Sequence, residues 1–386
     1  MAQKSMSLFH IITTSCMYSF VLIFLICSIL GVRSLGSFVP SNHTRNAAVI
    51  VQTSRFFHNY RHTSNALTIY QAVKKYGKIP DENIILMLAE DIPFNDRNPF
   101  KGQVFSDMNE DSLFDSSVEL DYRGEDVTVD NFLRVLLGES KPGHRQLDLG
   151  SDTNLLVYVT GHGGDSFFKF QDEEEILVED FHDVFSQMHK MRRFNEILFM
   201  ADTCQAFTLA PNNVPNIYSI GSSLLGQNSY ADHADSSIGH SVVDRYTYAF
   251  QKWMKQRRRW DRMDSISLRD SLTSAAFHLD NARIGADIGS RDMDCKRKFN
   301  QVPLSDFFAM KGVYNAPTPT FSTAKSINEP PIIKRIHQEC NAGLSQPIVV
   351  EEGMHPSDIR FLAMFAFFLI AVYISSKNDI ASTSTN

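Results

Sequence analysis

"EILFMADTCQAF" (196–207) runs from an apolar stretch straight into Asp202, Thr203 and Cys204, and its reading decides the fold. A short apolar run without strict alternation, stopped by a polar turn, describes a strand buried on both faces of a sheet. Four more stretches read the same way: "AAVIVQT" (47–53), "NIILMLA" (83–89), "NLLVYVT" (154–160) and "NIYSIGS" (216–222). Helical patterns separate them at 62–76, 128–137, 178–192 and 242–258, the second opening on Thr128 as N-cap and stopping at Gly138. Strands and helices therefore alternate, which predicts an α/β fold with a mainly parallel sheet flanked by helices. The segment 92–122 is acidic and loop-like, 311–357 is rich in Pro, Ser and Thr, and no internal repeat is visible.

Composition sets limits on the function. With 43% hydrophobic and 21% charged residues among 386, the chain can bury a large core, and wholesale disorder is excluded. A net charge of -7 excludes a global positive field of the kind that gathers nucleic acid; the one basic run, "KQRRRWDR" (255–262), reads as a solvated helix face.

The two ends suggest a membrane protein of the secretory pathway. Lys4, the apolar run "CMYSFVLIFLICSILGV" (16–32) and the small residues Ser34, Gly36 and Ser37 match a signal peptide over 1–35. Near the other end "IRFLAMFAFFLIAVYISSK" (359–377) fits a tilted transmembrane helix at 358–376. The expected order is signal, lumenal domain 36–315, linker 316–357, one span, and a cytosolic tail at 377–386. Asn42 of "NHT" is a glycosylation acceptor that such a topology would expose to the lumen. Of the cysteines at 16, 27, 204, 295 and 340, the first two leave with the signal. Pairing of Cys295 with Cys340 in an oxidising lumen would leave Cys204 as the odd thiol.

In parallel sheets, ligands gather beyond the carboxyl ends of the strands. Two expected strands end in reactive residues, one in "TGHGGD" (160–165) and one in "DTCQA" (202–206). A thiol attacks as its thiolate, and a neighbouring imidazole can draw off the proton and later return it to a leaving group. His162 and Cys204 are the candidates for that pair if their strands are adjacent, and the glycines after His162 permit a tight turn whose N–H groups can face an oxyanion. Neither residue has a second Cys or His at metal-ligand spacing.

Four segments, "YVTGHGGDSFFKFQD", "EILFMADTCQA", "VIVQTSRFFHNYRH" and "NIILMLAEDIPFNDRNPF", together carry a resemblance to a known family. They resemble the catalytic subunits of glycosylphosphatidylinositol (GPI) transamidases, membrane-bound legumain-like cysteine peptidases with a caspase-like fold. The resemblance implies Cys204 as nucleophile, His162 as general base and acid, and Asn59 as the residue that orients the imidazole. It further implies oxyanion donors at the Gly163 and Cys204 backbone, and a substrate pocket of Arg61, Asp202 and Ser229.

The implied reaction removes the C-terminal signal of a precursor protein and passes the protein through a thioester on Cys204 to the ethanolamine amine of a GPI lipid. Implied with it are other subunits of a membrane complex, an endoplasmic reticulum location and no nucleic acid. No cofactor is needed for the chemistry. Asp81, Glu119 and Asp121 read by themselves as a solvated acidic surface; the resemblance implies them, with the carbonyl of Ile84, as a candidate cradle for structural calcium.

Two positions depart from the family. Phe94 stands where members have a cysteine able to bridge to a partner subunit, and His240 stands where an acidic pocket residue is expected. Two other readings stay open: a legumain-like endopeptidase of the secretory pathway, and a divergent non-catalytic copy serving as a complex subunit.

Overall fold

The computed structural model describes residues 38–274, 285–292 and 294–312. From the amino end, β1 (Arg45–Gln52) leads through a 3-10 turn at Phe57–Asn59 into helix α1 (Tyr60–Gln71). Next come β2 (Ile84–Leu88), the short β3 (Tyr122–Arg123), α2 (Val129–Leu137) and β4 (Thr153–Thr160). A small antiparallel meander of β5 (Gly163–Gly164), β6 (Phe167–Phe170) and β7 (Glu174–Leu177) precedes α3 (Val178–Lys190) and β8 (Glu196–Asp202). β9 (Ile217–Gly221), the hairpin of β10 (Ala231–Ala234) and β11 (Ser241–Asp244), and α4 (Arg245–Lys255) follow. The described part ends with β12 (Gly289–Arg291) and the single turn α5 (Ser305–Phe308).

Seven strands form the central sheet in the order β12-β9-β8-β4-β1-β2-β3, and only the β12–β9 pairing is antiparallel. The α/β expectation with a mainly parallel sheet is met. The reason lies in how the apolar runs divide between two faces. In β1, Ala48 and Ile50 join Leu67 and Tyr70 of α1 and Phe250 of α4, while Val49 and Val51 join Phe132 of α2 and Phe181 and Phe185 of α3. Successive strand side chains point to opposite faces, so a strand sandwiched between helix layers must be apolar at every position.

Local signals set the helix ends. Thr128 Oγ1 accepts the Asn131 N–H at 3.1 Å at the start of α2, and Gly138 at φ 76° closes it in the left-handed conformation.

The chain winds outward from β1 to β2 and β3, returns to place β4 on β1's other side, and then winds outward again through β8 and β9. The reversal between β1 and β4 opens a crevice at their carboxyl ends, where the following loops diverge.

The structure revises several sequence expectations. The helix expected over 62–76 changes at Ala72 into a wider turn, Ala72–Tyr76. The one expected over 242–258 begins instead as β11, and a 3-10 segment, Gln256–Ser265, replaces its end. The basic run thus lies mostly on a 3-10 helix, with Arg258, Asp261 and Arg262 exposed as expected, while Trp260 turns inward and stacks on Tyr76 with centroids 4.5 Å apart. Neither small antiparallel element was expected, because glycines and short runs carry little periodic signal. The expected signal, linker, span and tail lie outside the described residues, as does Cys340. Among the described residues no helix is long and apolar enough to cross a membrane.

At Gly221 a Cβ would stand 2.4 Å from the backbone nitrogen of Phe207, in the turn that follows Cys204. Gly221→Ala should therefore push that turn outward, costing about 1–3 kcal/mol of stability as overpacking. Thermal unfolding should show the loss, and the rate of Cys204 alkylation should change with it; an unaltered rate would show that the turn is not braced there.

Candidate active site

The strand register brings the reactive residues together. Thr160 of β4 pairs with Asp202 of β8, so His162 and Cys204 each lie two residues beyond the same rung of the ladder. Gln52 of β1 pairs with Thr160 on the other side, which brings the β1–α1 turn to the same edge.

That turn carries Asn59, buried at 1% exposure, whose Oδ1 lies 3.0 Å from His162 Nε2. Asn59 Nδ2 donates to the Arg55 carbonyl at 2.6 Å, so the oxygen of the amide must be the atom facing the ring. An acceptor at Nε2 requires the proton on that nitrogen, which leaves Nδ1 as the basic one. Burial is the main force holding the His162 pKa below its ordinary value, and the Arg61 charge adds to it. The imidazole is therefore neutral and able to accept a proton near neutral pH.

Cys204 is partly exposed and free, at the head of a tightly held turn. The Thr203 carbonyl accepts the Ser223 hydroxyl at 2.8 Å, Gln205 N–H donates to Gln227 O at 2.9 Å, and Phe207 N–H donates to Ser223 O at 2.9 Å. Gln205 adopts the left-handed conformation at φ 52°, turning the chain sharply just after the thiol.

The loop carrying His162 lies against this turn. A Cβ at Gly163 would stand 2.7 Å from Thr203 Oγ1, so only glycine permits the approach. Lys169 N–H donates to His162 O at 2.9 Å, and Gly163 opposes Phe168 as the next pair. Antiparallel alternation then turns the Gly163 N–H away from β6, free for an oxyanion.

The other three expected pocket residues also converge, with a fourth that the sequence reading missed. Asp202 is fully buried and accepts Ser229 Oγ at 3.0 Å and Thr247 Oγ1 at 2.7 Å. Arg61 Nε lies 3.1 Å from Oδ1 of Asp244, at the end of β11, and Asn65 Nδ2 donates to the other Asp244 oxygen at 2.6 Å. The acidic residue expected at His240 is thus supplied four positions later, while His240 itself is exposed. "SVVD" before a helix was the available signal, and it reads equally well as an ordinary N-cap.

Burial raises the pKa of both carboxyls. Asp244 is pushed up to about 7 by burial and by Asp202, against the pull of Arg61. Asp202 is raised by burial, against its hydroxyl donors. Arg61 pairs with Asp244, yet burial and the neighbouring Asp202 charge let Asp244 hold a proton up to about neutral pH.

Asp81, Ile84, Glu119 and Asp121 also meet, around the guanidinium of Arg145. Arg145 donates to the Asp81 and Ile84 carbonyls and lies 3.0 Å from Asp121 Oδ1 and 3.5 Å from Glu119 Oε2. Carboxylates and carbonyls are the right donors for a hard cation, and here the positive group among them is Arg145; no cluster of His, Cys, Asp and Glu among the described residues is arranged to hold a metal. Burial pushes Asp121 up to about 6, partly offset by the Leu86 N–H and Arg145.

Elsewhere Asn42 is exposed, and Phe94 is 58% exposed with its ring edge-on to Phe114. Cys295 is buried, with its thiol pushed up to about 12 by burial and Glu196.

A model described as the peptidase C13 family matches residues 46–279, more than half of the chain. The chain is 44% identical over 276 residues to the GPI-anchor transamidase of Saccharomyces cerevisiae, covering 70% of this chain and 65% of that protein. It is 42% identical over 273 residues to the GPI-anchor transamidase of Schizosaccharomyces pombe, covering 69% and 70%. The match thus spans just under two thirds of the first relative and slightly more of the second. Caspase-1 from Spodoptera frugiperda aligns with 67% of this chain and 90% of that one at a TM-score of 0.34 and 11% identity, too low to bear on the fold.

Two predictions test the site's electrostatics. Asn59→Asp places a carboxylate beside His162 and favours imidazolium, so the acid limb of the pH profile for peptide cleavage should move up by about one unit; a stationary limb would separate Asn59 from the titration. Arg145→Met leaves Asp121 buried beside Glu119 without its counter-charge, and unfolding at neutral pH should show a loss of about 1–3 kcal/mol. Added calcium should restore part of that loss, because the oxygens left behind are those a hard cation prefers.

Proposed function

The chain belongs to the peptidase C13 family, and on that footing we propose that it is a thiol transamidase that attaches GPI to proteins. The observation that carries the chemistry is the pairing of His162 with Asn59 at the strand edge from which Cys204 also emerges. The names of the yeast relatives support the choice of substrate.

In this reading the small residue before the cleavage point enters the Arg61–Asp244 and Asp202–Ser229 pocket. Cys204 gives its proton to His162 Nδ1 and attacks the carbonyl, whose developing negative charge meets the N–H groups of Gly163 and Cys204. The C–N bond breaks, the departing signal peptide takes the proton from His162, and a thioester remains. The ethanolamine amine of the GPI lipid then attacks the thioester and gives a proton to His162. Collapse of the adduct joins protein to lipid through an amide and returns the proton to the departing thiolate.

Water competes at the thioester. Transfer wins only if the amine is held in place beside it, which suits an enzyme working within a membrane complex. We place the catalytic domain in the lumen of the endoplasmic reticulum, anchored by the apolar segment at 358–376 and joined by other subunits. Phe94 rules out a disulfide to a partner at that position. Calcium at Asp81, Ile84, Glu119 and Asp121 would have to displace the Arg145 guanidinium that those oxygens surround, and would serve structure alone and enter no chemical step.

Complementation tests the reading. Cells lacking their own transamidase should regain surface GPI-anchored proteins when they express this chain, and Cys204→Ala should abolish the rescue. Anchoring that persists with Cys204→Ala would remove the thioester from the mechanism and favour the non-catalytic reading. Release of the signal without lipid attachment would favour the endopeptidase.

A further inference from the structure

Phe56 combines two features that folding alone tends to avoid. Its backbone sits at φ 70°, ψ 148°, a region costly for any residue but glycine, and its ring is 56% exposed. The conformation is held from both sides: Phe56 N–H donates to Glu90 Oε2 at 2.6 Å, and Asn95 Nδ2 fixes the other Glu90 oxygen at 3.0 Å.

Two exposed imidazoles continue the surface. The rings of Phe56 and His58 have centroids 5.9 Å apart and planes within 15° of each other, His240 on the β10–β11 hairpin lies 6.5 Å from His58 with its plane turned by 67°, and the Arg55 guanidinium lies 6.0 Å from the Phe56 ring centre. This row of rings adjoins the base. The Phe56 carbonyl accepts the Asn59 N–H at 3.0 Å, the Arg55 carbonyl accepts its amide, and Asn59 in turn holds His162.

We propose that Phe56, His58 and His240 form an aromatic platform for the saccharide of the acyl acceptor, delivering its amine to His162; this rests on the transamidase reading. The acyl side of the reaction already has its pocket, with its charges buried at Asp202 and Asp244. The rings form an open ridge instead. Flat ring faces suit the C–H faces of a pyranose, and imidazole N–H and N groups suit its hydroxyls. A sugar seated on the ridge holds the amine near the thioester, the condition for aminolysis to outrun hydrolysis.

The test uses the full chain in its membrane complex with a peptide substrate and either hydrazine or a glycan-linked ethanolamine phosphate as acceptor. Hydrazine is too small to use the platform, so the ratio of the two products isolates it. Phe56→Ala and His240→Ala should each lower the ratio of glycan product to hydrazide, Phe56→Ala by about tenfold as expected for one ring face. Phe56→Trp should keep the ratio, since it preserves a face. An unchanged ratio in Phe56→Ala and His240→Ala, whether both products fall together or neither falls, would overturn the platform while leaving the transamidase reading intact. Wild-type enzyme that hydrolyses peptide yet transfers to neither acceptor would overturn both.

Discussion

The parallel pairing of β4 with β8 is the constraint on which the rest depends. Backbone hydrogen bonds fix Thr160 opposite Asp202, and the two loops that follow inherit that alignment. Side chains alternate faces at every residue, so a slip of one position would shift the loops by about 3.3 Å along the strand and invert every neighbour. With Leu155 to Val159 facing Ile197 to Ala201, all buried, no such slip is tolerated. The positions of the thiol and the imidazole are thus set by apolar packing that has no part in the chemistry.

Rigidity then passes from the sheet to the loops through polar contacts. Ser223 and Gln227, beyond β9, hold the turn at Cys204, and Arg55 holds the amide of Asn59. Each loop with a reactive residue is tied to a neighbour, and left-handed backbone appears where the ties demand it, at Phe56 and Gln205. Placing strain in loops on a rigid sheet keeps the geometry fixed without weakening the core.

The sheet strands, and the placement of His162 and Cys204 at one sheet edge, were legible in the sequence because each rests on a local signal: an apolar run, then a polar turn containing His162 or Cys204. Asp202 and Ser229 could be named through family resemblance, but that they share a hydrogen bond could not, since they lie on separate loops. Asp244 was missed for a physical reason. Its role arises from the hairpin and the start of α4 carrying it back to Arg61, a contact between residues far apart in sequence, and the acid was sought at His240 instead. Arg145 was missed likewise, because a lone basic residue in a loop gives no sign that it will close a ring of acceptors. The ends of the helices failed where tertiary packing overrode periodicity, as when Trp260 turned inward to Tyr76.

Arg61 links recognition to basicity. Its guanidinium pairs with Asp244 in the pocket, and its charge also helps to hold His162 below its ordinary pKa. It reaches Asn59 as well, with Nη1 3.4 Å from the Oδ1 that accepts the His162 N–H. A proton on Asp244 leaves more of the Arg61 charge uncompensated, and a group entering the pocket that binds Arg61 compensates more of it. The field at His162 changes in either case, since a charge is felt strongly across a few ångströms of poorly hydrated interior. In the proposed mechanism the residue that meets the substrate therefore also adjusts the base that acts on it.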